Sequence, residues 1–222
     1  FPMKFLEENL VEWLQRPELS ELRAAFSPRI VAQNSYICQA DSPENEIFIV
    51  TRGRARVYLG YEDKEFNLAI LAPGDIYSTH TGASVQAMED MEILGMDAAT
   101  FLAHMAMNGE VNRTMIKVLG NVLKSSFGII EGLVFKDVSC RLLSLLLTEA
   151  KRQQPQGDGA VVLHINLSVE QIARMVGSSR QTVSTQLNRL IRNNLLYKRG
   201  RGSFVIPDIS ALEDYYCAAD CL

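Results

Sequence analysis

The sequence predicts an α+β chain of unlike modules: an N-terminal double-stranded β-roll, one long helix, and a C-terminal winged helix-turn-helix. Three observations carry this. Short apolar runs punctuated by turn residues fill 29–97, the spacing of a roll or barrel. Apolar residues then recur at three- and four-residue intervals from Val111 to about Phe135, the period of a helix. A capped helix, a glycine turn and a second helix follow within a basic segment. The implied boundaries are 1–110, 111–137 and 138–222.

In the roll, Ile47-Phe48-Ile49-Val50 reads as a buried strand that ends at Arg52-Gly53. Ala55–Leu59 and Phe66–Leu71, joined across Glu62-Asp63-Lys64, read as a hairpin. Pro73-Gly74-Asp75 makes the next turn, and Ser84–Met88 with Met91–Leu94 reads as a further strand pair. Two short helices, near Leu6–Leu14 and Glu18–Ala25, precede the roll.

The long helix has the extended stripe of a helix paired with its symmetry mate: Met115, Val118/Leu119, Val122, Ile129/Ile130 and Leu133. A helix over Cys140–Arg152 and a Gln/Gly/Pro-rich loop over Gln153–Gly159 come next.

Composition fits this plan. With 222 residues, 47% hydrophobic and 22% charged, the chain can bury a core. No apolar run approaches the ~20 residues of a membrane span, and Phe1-Pro2-Met3-Lys4 lacks the build of a signal peptide. A cytoplasmic protein with no membrane partner is expected. Cys38, Cys140, Cys217 and Cys221 form no CxxC pair or zinc spacing and are expected reduced. The net charge is −4, but Ala160–Pro207 holds seven Lys/Arg against Glu170 alone, so that segment is +6 and the remainder −10. A basic module on an acidic one is the footprint of a DNA-binding domain joined to something else.

Within the basic module, Ser168 and Gln171 stand at capping-box spacing, and Gly177 stops the helix they start. The second helix, from about Ser179 to Asn193, carries Arg180, Gln181, Ser184, Thr185 and Asn188 on its outward face. Arginine can grip guanine and glutamine adenine, while Ser178, Ser179 and Thr182 can hold phosphates at the helix start. Leu195–Arg199 and Ser203–Ile206 flank Gly200-Arg201-Gly202, a wing whose Lys198, Arg199 and Arg201 suit phosphate contacts.

This order of modules, with Gly177-Ser178-Ser179-Arg180-Gln181-Thr182-Val183-Ser184, resembles the superfamily of the cyclic-AMP receptor protein and the fumarate-nitrate regulator over nearly the whole chain. Together with Arg54–Leu59, Gly74-Asp75 and His80, it looks most like the haem-containing carbon-monoxide sensors of the CooA type. The resemblance implies a cyclic-nucleotide-binding-like β-roll, a homodimer, a two-fold DNA operator, RNA polymerase as partner, and haem b with carbon monoxide as effector. No arginine lies between Arg56 and Arg113, so a buried cyclic phosphate would lack its cation. An iron–sulfur site lacks its N-terminal cysteines.

What the resemblance assigns instead is haem ligation by His80, the one histidine of the roll, with Asn45 orienting it and Ile116, Leu119, Gly120 and Leu123 forming an apolar distal wall. Ser78 stands where those sensors have a cysteine ligand, so a cysteine-based ligand switch is not expected. The family's displaceable ligand is the partner subunit's N-terminal amine, and the sequence leaves open whether Phe1-Pro2 is native. The alternative is the same architecture sensing nitric oxide or an organic ligand. An enzyme is not expected: Ser78 and His80 share a loop, but alternate residues of extended chain point apart.

Overall fold

The computed structural model describes residues 9–43, 45–153, 160–200 and 202–218. The chain folds as two compact units, and the boundary between them falls inside the long helix, between Ser126 and Phe127.

The first unit opens with α1 (Leu10–Trp13), capped by Asn9, and α2 (Ser20–Ala25). Eight strands follow: β1 (Ser27–Val31), β2 (Tyr36–Cys38), β3 (Glu46–Arg52), β4 (Ala55–Tyr61), β5 (Lys64–Leu71), β6 (Ile76–Ser78), β7 (Ser84–Ala87) and β8 (Met91–Asp97). They form two four-stranded antiparallel sheets, ordered β1-β8-β3-β6 and β2-β7-β4-β5. The apolar positions of both sheets share one core: Phe48, Ile49 and Val50 from β3, Val57 from β4, Leu71 from β5, Val85 from β7 and Ile93 from β8. This is the β-roll, with β4 and β5 as the expected hairpin and Glu62 (φ 52°) at its turn.

The expected pairing of the next two strands is corrected. β7 pairs with β2 and β4, whereas β8 pairs with β1 and β3, so the turn between them carries the chain from one sheet to the other. Strand sequences joined by a short turn look alike whether they pair or cross between sheets; the core positions decide, with Val85 and Ala87 on one sheet facing Met91 and Ile93 on the other.

α3 (Ala98–Met107), started by the Asp97 carboxylate accepting from Thr100 N at 2.8 Å, leads to α4 (Gly109–Phe135), 27 residues long. By length and composition α4 could cross a membrane, with a mean hydropathy of 1.4 over its best window, which corrects the expectation that no segment is long and apolar enough. That hydropathy arises because α4 carries apolar residues on two separate faces, described below.

The second unit holds α5 (Val138–Arg152), β9 (Val161–His164), α6 (Val169–Val176), α7 (Arg180–Arg192), β10 (Tyr197–Gly200), β11 (Ser203–Ile206) and α8 (Ile209–Ala218). Its three strands order as β10-β11-β9. Cys140 is disulfide-bonded, against the expectation that every cysteine is reduced, while Cys38 and Cys217 are free thiols. Proximity in the fold sets such a bond, and no sequence spacing announces it.

Candidate functional site

Two short helices build the recognition element. Gln171 N donates to Ser168 Oγ at 3.2 Å and Ser168 N donates to Gln171 Oε1 at 2.8 Å, so both halves of the capping box are made. Gly177 ends α6 at φ 65°, a left-handed conformation that glycine adopts without a Cβ penalty. Ser179 then caps α7 by accepting from Thr182 N at 3.1 Å. Ile172, Ala173, Met175 and Val176 of α6 and Val183, Leu187 and Leu190 of α7 are buried, which leaves the other face of α7 to solvent.

That outer face presents Arg180, Gln181, Thr185 and Asn188 exposed and Ser184 half-buried. The positions i, i+1, i+4, i+5 and i+8 share one side of a helix. The Thr185 hydroxyl donates to Gln181 O at 3.0 Å, so its remaining capacity is as an acceptor. Ser179 Oγ also lies 2.9 Å from Thr182 Oγ1; both hydroxyls are thus engaged at the cap, while Ser178 is half-buried beside them. Arg189, also exposed on α7, was not singled out from sequence. The wing is the β10/β11 hairpin, pairing Lys198 with Phe204. Lys198 and Arg199 are exposed and make no ion pair among the described residues. Arg201 lies outside the described residues.

Behind this surface sits a residue that sequence reasoning missed. Arg141 of α5 is 8% exposed. Its Nε donates to Val176 O at 2.7 Å, Nη1 to Lys136 O at 2.6 Å and Nη2 to Gly177 O at 3.4 Å. The last carbonyls of a helix have no partner within it; here one guanidinium supplies partners to Val176 and Gly177, and so holds the turn that aims α7. An arginine in an otherwise leucine-rich helix was the available signal.

In the first unit, His80 lies in a single 3₁₀ turn, Thr79–Thr81, directly after β6. The loop is pinned on both sides: buried Thr79 accepts at Oγ1 from Glu46 N at 2.9 Å, and Tyr77 Oη lies 2.7 Å from Thr81 Oγ1. Burial pushes the Tyr77 phenol up to about 12, so that hydroxyl stays protonated across physiological pH. His80 itself is exposed, with Ser78 Oγ 2.6 Å from Nδ1. This corrects the extended-chain expectation: the helical turn brings both side chains to one side. Asn45 is also exposed, and its carbonyl accepts from Ala98 N at 2.9 Å. The N-terminal residues Phe1-Pro2 lie outside the described residues.

α4 presents two apolar faces. Val111 and Met115 are buried against the roll's core, with Val118 and Val122 packed on it. On another face Ile116, Leu119 and Leu123 are 64%, 65% and 54% exposed, and Phe127, Ile130 and Leu133 continue the series. A Cβ built on Gly120 meets nothing within 4 Å. The stripe expected from sequence therefore mixes these faces: Met115, Val118 and Val122 belong to the subunit's own core, and Leu119, Ile130 and Leu133 to the open face. Spacing of three and four residues fits both, and only burial separates them.

The roll and the recognition element both match known domains. Residues 28–108 match the cyclic nucleotide-binding domain and residues 140–215 the Crp-like helix-turn-helix domain. The structure is similar to that of a CooA mutant from Carboxydothermus hydrogenoformans, at 37% identity and a TM-score of 0.92, covering 96% of this chain and 98% of that one. It is similar also to the reduced (Fe(II)) CO-sensing protein from R. rubrum, at 33% identity and a TM-score of 0.54, covering 94% and 98%. A curated relative, the CRP-like cAMP-activated global transcriptional regulator of Mycobacterium tuberculosis, is 25% identical over 77% of this chain and 79% of its own length. With a capped, basic recognition helix behind a roll of this topology, the chain belongs to the CRP/FNR superfamily of transcription regulators and stands close to CooA.

Proposed function

We propose that this regulator is a cytoplasmic homodimer that holds haem b through His80 and binds a two-fold DNA operator, with RNA polymerase as its downstream partner, when carbon monoxide reaches the haem. The observation that carries the sensor half is the His80 loop: an exposed imidazole on a turn anchored by Thr79 and Tyr77, with a hydroxyl at Nδ1. When Nδ1–H donates to Ser78, the Nε2 lone pair is left for a metal, the arrangement that fixes the tautomer of ligating histidines. Among the described residues no group of three or more His, Cys, Asp or Glu is assembled, so an iron at His80 needs a ligand that brings its own donors, as a porphyrin does. Haem would supply a ferrous centre with an exchangeable position for a diatomic gas.

The chain's own residues would do the rest. Ile116, Leu119, Gly120 and Leu123 lie on the open apolar face of α4 and would provide the apolar distal wall, while Asn45 would approach from the segment before β3. The same face, continued through Phe127 and Ile130, would pair with its symmetry mate as a coiled-coil seam. Rearrangement along the paired helices would bring two α7 helices to a spacing of about 34 Å, successive major grooves of a palindromic site. Arg180, Gln181, Ser184, Thr185 and Asn188 would read bases; Ser178, Ser179, Lys198, Arg199 and Arg201 would hold phosphates. The two near full-length relatives with CO-sensing names support this reading.

A second reading keeps the DNA-binding half and changes the effector, since the curated relatives are cAMP-activated. Against a nucleotide stands the engagement of Arg56, the last arginine before Arg113, with Glu65 at 2.5 Å and Gln86 at 2.7 Å. One absorption spectrum of haem-supplemented protein, taken oxidised, reduced and with carbon monoxide, tests the proposal. A six-coordinate reduced spectrum that shifts with the gas, together with raised operator affinity, is expected; protein that takes up no haem overturns it and leaves the second reading.

A further inference from the structure

The first turns of α4 and the end of α1 enclose a pocket of about 290 Å³, lined by Trp13, Arg16, Glu110, Arg113, Thr114 and Lys117. The spacing 110, 113, 114 and 117 puts four of these on one face of α4. Three lining side chains are cationic and one is anionic, a net of +2. Glu110 is paired with Arg16, whereas Arg113 makes no ion pair among the described residues. Arg113 and Lys117 stand at i and i+4, where like charges destabilise a helix; an anion seated between them reverses the sign of that interaction. The walls are otherwise built for a ligand rather than for open solvent. Thr114 is 8% exposed, Trp13 is 6% exposed, and the buried indole N–H of Trp13 has no hydrogen-bond partner among the described residues.

We propose that this pocket binds a small dianionic oxyanion of the phosphate or phosphate-monoester class. Forked guanidinium donors match the oxygens of a phosphoryl group, and two net positive charges match its second ionisation. The volume is near the lower limit of small-molecule sites, about 300 Å³, enough for a phosphoryl group with a short organic remainder. The site uses no residue assigned to effector or DNA binding, so it stands or fails independently of the haem reading.

Trp13 is the single tryptophan of the chain, and its fluorescence in the full-length protein reports on the pocket directly. Inorganic phosphate and glycerol 3-phosphate are titrated at constant ionic strength, with chloride as control. A saturable change with the phosphates and none with chloride is expected. Arg113→Ala should weaken binding by about tenfold or more, the scale of a lost charge-assisted contact. Glu110→Gln should tighten it, because the lining charge rises by one. Tighter binding of glycerol 3-phosphate assigns a phosphorylated metabolite as the source, and equal or weaker binding assigns free phosphate. A linear or absent response in the wild type, or affinities unchanged in both variants, overturns the site.

Discussion

Ser78 Oγ lies 2.6 Å from Nδ1 of His80, two residues along the chain, because the 3₁₀ turn after β6 folds the two side chains to the same side. The contact gives Ser78 a defined part in the proposed sensor. Ser78→Ala removes the partner of Nδ1 and frees the ring; outer partners of metal-bound histidines are worth about 10–100-fold in affinity, and haem retention measured against a competing haem acceptor should fall within that range. Ser78→Cys should give the oxidised protein a thiolate-type absorption that the wild type lacks, since a thiol ionises far more readily than a serine hydroxyl. Retention unchanged in Ser78→Ala would sink this role.

The DNA surface yields a pair of contrasting outcomes. Arg180 sits at the exposed start of α7 and Lys198 on the wing. Arg180→Ala should cost about 1–3 kcal/mol on the specific operator and relax base preference there, whereas Lys198→Ala should weaken binding to all sequences alike and lower the salt slope by about 1. Quantitative gel shifts on operator and random duplexes at several salt concentrations measure both; equal losses on the two duplexes for Arg180→Ala count against base reading.

Much of this was legible in the chain, and the failures share a cause. The capping box at Ser168/Gln171 and the glycine stop at 177 are local chemistry, so the helix-turn-helix could be read from residues a few positions apart. The β4/β5 hairpin was legible for the same reason. What failed depended on neighbours distant in sequence. The sheet assignment of β7 and β8 is one case, and the division of α4 into a core face and an open face is another. β9 and α8 went unread, the former a four-residue run beyond a loop whose only mark as a strand is its pairing with β11. Arg141 was invisible because its partners come from a helix thirty-five residues away.

Arg141 is therefore a further test of how α7 is held. Arg141→Ala leaves the carbonyls of Lys136, Val176 and Gly177 without this donor, at about 1–3 kcal/mol for each buried group left unpaired. Chemical denaturation followed by helical signal should show the DNA-binding unit losing stability. Arg141→Lys should not restore it, because one ammonium cannot reproduce the three-way fork. Full rescue by lysine would show that charge alone, and not this geometry, matters.

The two faces of α4 separate dimerisation from folding. Leu119 is 65% exposed on the open face, whereas Val122, three residues on, packs against the roll's core. In the proposed dimer Leu119→Glu puts an unpaired carboxylate into an apolar seam, a penalty of several kcal/mol. Sedimentation should then show dissociation toward monomer, with operator affinity falling alongside, while the thermal transition of the roll stays near that of the wild type. Val122→Glu places the same charge against the core of its own subunit, so it should lower that transition first and affect association only as a consequence. A Leu119→Glu protein that sediments as a stable dimer would mean that the open face pairs with something other than a second copy of this helix.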